Sequence, residues 1–301
     1  MTPFCTLPDG RTVHAVNIAN DRLSATFLTL GARLWDLRFD DSGSLVPDVP
    51  PEVLTGAGEY TGVIVGPVMN RLSGATAPLD NGLLTFEANE GPNLLHSGKD
   101  GVHAKLWQVA EAGPDAVTFR IDLPPDAFPG TRRIEAAYAL DGADLVLDLT
   151  ATTDTATLMN VGFHPYWTLT GGGPETHEVQ VNAADYVPAT AANIPLGTID
   201  PVAGTSRDFR AARVPTPDID NCFVLAKRGA QEAAVRLTGG GLALDILTDA
   251  PAVHVFTGQP YGIAVEPEIH PDAPNRPAFP SIRLGAGEVF RQRAIHRFSH
   301  G

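Results

Sequence analysis

Cysteine is nearly missing from this sequence: Cys5 and Cys222 stand alone among 301 residues, without CxxC spacing. Two such thiols exclude a disulfide framework and point to a reducing compartment. Basic residues are scarce as well. Twenty-one Lys and Arg face 35 Asp and Glu, for a formal charge of −14 and a pI near 4.9. Nucleic acid and anionic membrane both require basic patches, so neither is an expected partner. Such a surface has no general attraction for phosphorylated substrates either, and a neutral ligand is expected. No apolar run reaches membrane-spanning length. The first residues lack a basic segment leading into an apolar one, so no secretory signal is read and a cytoplasmic protein is the expectation. The nucleotide signatures GxGxxG after a strand and GxxxxGK[ST] are absent, so no cofactor is expected. Helical periodicity is missing too. The best candidate, residues 48–60, is broken by Pro50, Pro51, Gly56 and Gly58.

What the sequence does contain is punctuation and alternation. Thirty Gly and 26 Pro are spread along the chain, as suits many short strands joined by turns. In residues 116–123, Val117, Phe119, Ile121 and Leu123 share one face and Thr118, Arg120 and Asp122 the other. Residues 144–151 repeat the pattern with Leu145, Leu147 and Leu149. Residues 235–237 and 242–248, joined by Gly239-Gly240-Gly241, read as a hairpin. Residues 185–214, rich in Ala, Pro and Thr, read as an extended loop region and not a boundary. The expectation is one all-β domain over residues 1–301, built as a large antiparallel β-sandwich.

Four stretches are too polar, or too rich in Gly and Pro, to be plain strand. Asn-Val-Gly-Phe-His-Pro-Tyr-Trp-Thr-Leu (160–169) sets His164 among aromatics just past a strand, where a rigid sheet can hold it steady. Aromatic walls around one titratable group suit a small polar ligand with apolar faces. In residues 63–75, Arg71 follows an apolar strand; its guanidinium either donates to hydroxyl oxygens or forms a surface salt bridge. In residues 89–107, His96 lies in a glycine-flanked turn that admits close approach of a ligand, although by itself it reads as a loop histidine facing water. In residues 261–277, the apolar segment 262–265 delivers Glu266 at its exit. Carboxylates there lose solvation and become bases that work near neutral pH. Glu268 reads as part of a solvated acidic turn, with Pro267, Pro271, Pro274 and Pro277 stiffening the loop.

A desolvated carboxylate and an imidazole on separate loops make a general base and general acid, the pair that sugar anomers need to interconvert. The four stretches resemble, in order and across nearly the whole chain, the aldose 1-epimerase (galactose mutarotase) family. Asn70-Arg71-Leu72-Ser73-Gly74 is similar to its Asn-Arg-Ile-x-Gly segment. Residues 89–98 match its Asn-x-Gly-Pro-Asn-x-Leu-His-Gly-Gly segment. His164-Pro165-Tyr166-Trp167 matches His-x-Tyr-Phe, and residues 266–275 match Glu-x-x-x-x-Pro-Asp-Ala-x-Asn. The resemblance implies a galactose mutarotase-like supersandwich without metal or cofactor, acting on a monosaccharide. It implies Glu266 as base and His164 as acid. His96, Arg71 and Asn70 would hold the sugar, Asp220 would bind it from ahead of a strand, and Tyr166 would line the pocket.

Three departures accompany the match. Gly-Arg-Tyr of the family is Gly66-Pro67-Val68 here, and His-Gly-Gly is His96-Ser97-Gly98. The Thr-Gln-Pro-Gly turn, whose Gln contacts the sugar, is Asp249-Ala250-Pro251-Ala252, so Ala250 is expected to alter sugar preference. Three other readings compete, one of them within the family: a mutarotase for a sugar phosphate, which would want additional Arg or Lys near the pocket. Glu266, Glu268 and His270, with His96, His103 and His164, would suit a metal-dependent cupin-like enzyme. A non-catalytic carbohydrate-binding protein would share the fold but would not need the base/acid pair.

Overall fold

The computed structural model describes residues 1–226, 229 and 231–301. The alternating stretches fold as strands. Ala116–Leu123 pairs one-to-one with Arg132–Asp141, which pairs in the same unbroken register with Asp144–Thr153. They belong to an eight-stranded antiparallel sheet. Its order continues through Val289–His300, Leu242–Thr248, Val235–Gly239 and Glu178–Val181, with Gln108–Ala112 on the opposite edge. The hairpin closes where Gly239 pairs with Leu242, leaving Gly240 and Gly241 at φ of 60° and 76°. Positive φ at both central residues is what the turn of a tight hairpin demands, hence the glycines.

A second, six-stranded sheet runs Tyr166–Trp167, Ile263–Glu268, Ala252–Phe256, Asp220–Val224, Asp185–Val187 and Asp200–Pro201. A third, of four strands, is formed by Thr2–Thr6, Thr12–Ala19, Leu23–Leu28 and Arg33–Phe39. The main core gathers side chains from all three: Phe27, Phe119, Tyr138, Leu147, Val255 and Val265 are among its buried members. The rings of Phe27 and Tyr138 sit 4.3 Å apart. The architecture is therefore the large antiparallel β-sandwich expected from the alternation.

Some boundaries differ from expectation. Residues 48–60 form turns around the short 3-10 segment Pro51–Val53, as their prolines and glycines require. His164 closes a short strand of its own, Gly162–His164, paired with Val63–Val65. Glu266 does not stand at a strand exit, because Ile263–Glu268 continues through Pro267. No helix among the described residues is long and apolar enough to cross a membrane.

Candidate active site

Residue parity in the six-stranded sheet builds the site. Tyr166 pairs with Ala264, Glu266 with His254, Glu268 with Ala252, and Cys222 with His254. Side chains alternate across a strand, so Tyr166, Glu266, Glu268, His254 and Asp220 share one face. Ile263, Val265, Val253, Val255, Phe223 and Trp167 take the other and enter the main core. One face anchors the sheet and the opposite face is free to carry polar groups.

The Glu266 carboxylate and the His164 ring lie together, with Oε2 3.5 Å from Nε2 and both side chains under a tenth exposed. Glu266 Oε2 has no hydrogen-bond partner among the described residues. Burial is the main force on both groups. It drives Glu266 from 4.5 up to about 8, helped by the charges of Glu268 and Asp220. It drives His164 from 6.5 down to about 3. Behind His164 the packing is tight: a Cβ on Gly162 would collide with Met69 Sδ.

His96 closes a third side, its ring centroid 5.2 Å from that of His164. It is buried, contrary to the expectation of a solvent-facing loop histidine. Its backbone N–H donates to the Asn70 carbonyl at 3.0 Å, and its Nδ1 accepts the Asn70 backbone N–H at 3.1 Å. That reciprocal clasp holds Asn70, His96 and Ser97 at φ of 59°, 49° and 65°, a region non-glycine residues seldom occupy unless their surroundings impose it. Burial, with the Arg71 guanidinium near by, holds the His96 ring well below the ordinary histidine value, so it is neutral. With Nδ1 accepting, the proton is on Nε2.

Asn70, Arg71 and Asp220 surround the pair. Arg71 donates from Nε and Nη2 to both oxygens of Glu90, at 2.6 and 2.8 Å, and approaches Asp220 Oδ2 at 3.9 Å. Its side chain is 11% exposed, so this is a partly buried bidentate pair and not a loose surface bridge. Asp220 Oδ1 lies 2.5 Å from His254 Nε2, and its Oδ2 accepts from Asn193 Nδ2 at 2.6 Å. Asn70 turns its amide nitrogen toward His254 Nδ1 at 3.1 Å. The Tyr166 ring lies beside that of His164, tilted by 31° with the centroids 5.2 Å apart.

Three participants escape sequence reasoning. Tyr60 covers the histidines, its ring 4.8 Å from those of His96 and His103 and 6.3 Å from that of His164. His254 carries no motif; a lone histidine centred in an otherwise apolar strand is its only signal. Glu268 is fully buried, against the expectation of a solvated turn, and its Oε1 lies 3.3 Å from His254 Nδ1.

The expectation for Ala250 is also corrected. It lines a separate groove with Leu225, Leu247 and Arg293, shared with none of the site residues. In that strand pair the side chain that reaches the site is that of His254.

His96, His164 and Glu266 bring ligand-type atoms within 4.8 Å of one another, close enough to suggest a metal site. The donor chemistry opposes it. One nitrogen of His96 is occupied by the Asn70 N–H and the other carries the proton, so neither offers a lone pair to a cation. His270 packs on Phe279, at 5.1 Å, outside that trio. The residues therefore do not fit the metal-dependent alternative.

A β-sandwich with a buried carboxylate–imidazole couple on a polar sheet face belongs to the class of acid/base enzymes for small polar ligands. The family model described as aldose 1-epimerase matches residues 14–297, and the chain belongs to that family. Galactose mutarotase from Sus scrofa is 28% identical, with 98% of this chain and 97% of that protein covered. Aldose 1-epimerase from Escherichia coli K12 is 27% identical over 97% and 96%. A solved aldose epimerase homologue from C. elegans superimposes with a TM-score of 0.89 at 29% identity, covering 96% of this chain and 99% of that one. Galactose 1-epimerase from Lactobacillus acidophilus, 23% identical, shares the fold at a TM-score of 0.87 over 100% and 98% of the two chains.

Proposed function

We propose that this protein interconverts the α and β anomers of a neutral aldose, with Glu266 and His164 moving the protons. The observation that carries the reading is the 3.5 Å approach of Glu266 Oε2 to His164 Nε2 on a buried face. The hydroxyl oxygen O1 and the ring oxygen O5 are both bonded to C1, so the groups that serve them must be close neighbours. Glu266 takes the O1 proton while His164 gives one to O5. The C1–O5 pair leaves with O5, and the O1–H pair becomes the second bond of the C1 carbonyl. Rotation about C1–C2 and the reverse transfers close the ring on the other face. His96, with Nε2–H as donor, and Asn70, Arg71, Asp220 and Tyr166 hold the sugar.

The two pKa directions fit this scheme when the groups are treated as one unit. Between about 3 and about 8 the pair holds a single proton. Burial leaves it on Glu266 in the empty site. Catalysis needs the same proton on His164, which is a tautomer and not another charge state. A sugar hydroxyl donating to the carboxylate favours that tautomer. Activity is then expected to fall as pH rises through about 8, where the pair loses its only proton. On the acid side it persists well below the ordinary histidine value of 6.5.

Neutrality of the sugar rests on where the cations are spent. Arg71 is held by Glu90, and His254 lies between Asp220 and Glu268. Among the described residues of the site, no guanidinium or imidazolium is left over for a phosphate or carboxylate. Polarimetry of freshly dissolved aldoses tests the proposal. Faster approach to the equilibrium rotation supports it; binding without acceleration would favour a non-catalytic sugar binder.

A further inference from the structure

Glu90 takes no part in the proton transfers, yet it holds the guanidinium of the site. It fills the open position of the Asn-x-Gly-Pro-Asn segment, so the family resemblance assigns it no role. Its two oxygens accept from Nε and Nη2 of Arg71, at 2.6 and 2.8 Å. Asp220 Oδ2 stands 3.9 Å from the same Nη2, so Arg71 lies between two acids.

The backbone fixes both partners before any ligand arrives. Arg71 belongs to the short strand Arg71–Leu72, paired with Leu94–Leu95. Its N–H donates to Asn70 Oδ1 at 2.8 Å, and its carbonyl accepts the Asp272 N–H at 3.0 Å. Glu90 opens a turn over residues 90–93, closed by Asn93 N–H to the Glu90 carbonyl at 3.0 Å and the reverse bond at 3.1 Å. Gly91, at φ of 56°, and Pro92 form its middle. On one flank Asn89 clasps the Leu95 backbone through both its amide oxygen and nitrogen, at 2.7 and 3.1 Å. On the other, Asn93 Oδ1 accepts the Gly74 N–H at 3.1 Å. A bidentate pair between two anchored residues gives up little freedom in forming. The Glu90 side chain is 37% exposed and stands at the rim of the site. Burial, with the charges of Glu59 and Glu90, raises the Tyr60 phenol, which puts Glu90 beside the ring that covers His96 and His164.

We propose that Glu90 is a specificity-determining residue: by neutralising Arg71 at the rim, it confines the enzyme to uncharged aldoses and turns away sugars that carry a phosphate or a carboxylate. This rests on the mutarotase reading and deepens it. An anionic substituent that reaches Arg71 meets a guanidinium whose bidentate edge is taken, with Glu90 and Asp220 both beside it. It must either displace an anchored carboxylate or stay unpaired in a partly desolvated site, and each costs binding free energy. A hydroxyl meets no such cost, because Nη1 of Arg71 donates to none of the described residues and remains for it. Selectivity then comes from repelling the wrong ligand as much as from fitting the right one.

The test is the ratio of kcat/KM for an anionic sugar to kcat/KM for its neutral counterpart, with glucuronate and glucose 6-phosphate each set against glucose. Rates are taken near neutral pH as acceleration over the uncatalysed reaction, for the native protein, Glu90→Gln, Glu90→Ala and Glu90→Asp. A ratio does not depend on the folded fraction, so a variant that folds poorly still reports. The native ratio is expected to be low. Glu90→Gln and Glu90→Ala leave Arg71 without its main partner and are each expected to raise the ratio at least ~10-fold, a small part of what unit charges a few ångströms apart exert near a protein surface. Glu90→Asp, which keeps the charge, is expected to keep the low ratio. A ratio unchanged in both Glu90→Gln and Glu90→Ala, or an equal gain for neutral and anionic sugars, would overturn the proposal while leaving mutarotation intact. No acceleration of any neutral aldose by the native protein would remove the mutarotase reading and the proposal with it.

Discussion

Glu266 is held where a carboxylate is least at ease, 2% exposed on a face shared with two other acids. Replacing it with Gln, or His164 with Asn, keeps size and polarity and removes only the proton transfer. Each change is expected to lower the mutarotation rate by at least ~10²-fold, the range for a positioned acid or base. Stability should move the other way for Glu266. Its folded-state value near 8 stands above the ordinary 4.5, so the folded chain retains a proton that the unfolded chain releases. Stability is therefore lost as pH climbs from about 4.5 to about 8. Glu266→Gln cannot ionise, and thermal melts at pH 8 should show it unfolding at a higher temperature than the native protein, with the gap closing near pH 4. A lower melting temperature at pH 8 would mean that the carboxylate contributes contacts that outweigh its burial. Function and stability are opposed at this position, as is usual where a charge is buried for chemistry.

At the scale of elements, the site is the exposed consequence of strand alternation. Once Ile263 and Val265 enter the core, Glu266 and Glu268 must face the other way. Glu266, His164, His96 and Arg71 are visible in the sequence because each sits in a stretch whose polarity breaks the local pattern. Glu268 is hidden because Pro267 reads as the start of a loop. In fact Ile263–Glu268 pairs with Tyr166–Trp167 only at Ile263 and Ala264, and beyond them only with Ala252–Phe256. A strand paired on one side tolerates a proline that has no N–H to donate. His254 is hidden for another reason: its meaning depends on which strands lie beside it, and register between distant segments is not written in either segment alone. Tyr60 lies in a turn-rich stretch whose path follows from long-range packing. The apolar alternation, being local, is fully legible. Gly162 offers a test of how the strand behind His164 is seated. Gly162→Ala would drive a Cβ into Met69 Sδ. Urea denaturation should show a loss of about 1–3 kcal/mol, as for overpacked cores. An unchanged midpoint would mean that Met69 moves aside freely.

For the whole molecule, charge and fold point to the same kind of ligand. A net charge of −14 surrounds a site whose cations are already paired with acids. A hexose phosphate or a uronate is therefore expected to turn over at least ~10-fold more slowly than the matching neutral sugar, since a desolvated anion without a partner costs more than about 1.4 kcal/mol. Rates for neutral sugars should change little with ionic strength, because nothing in the encounter is steered by charge. A panel of hexoses, pentoses and their phosphorylated or oxidised forms measures both, and a preference for the anionic members would contradict a pocket built for neutral sugars.

Catalysis here depends most on one pair of groups passing a single proton between them. Polarimetry of α-glucose and α-galactose with the native protein, Glu266→Gln and His164→Asn, run from pH 4 to pH 10, tests it most directly. The expected result is acceleration by the native protein that declines above about pH 8, and near-background rates for both variants at every pH. Rates close to native in either variant, or no acceleration by the native protein with either sugar or with any other neutral aldose, would contradict it.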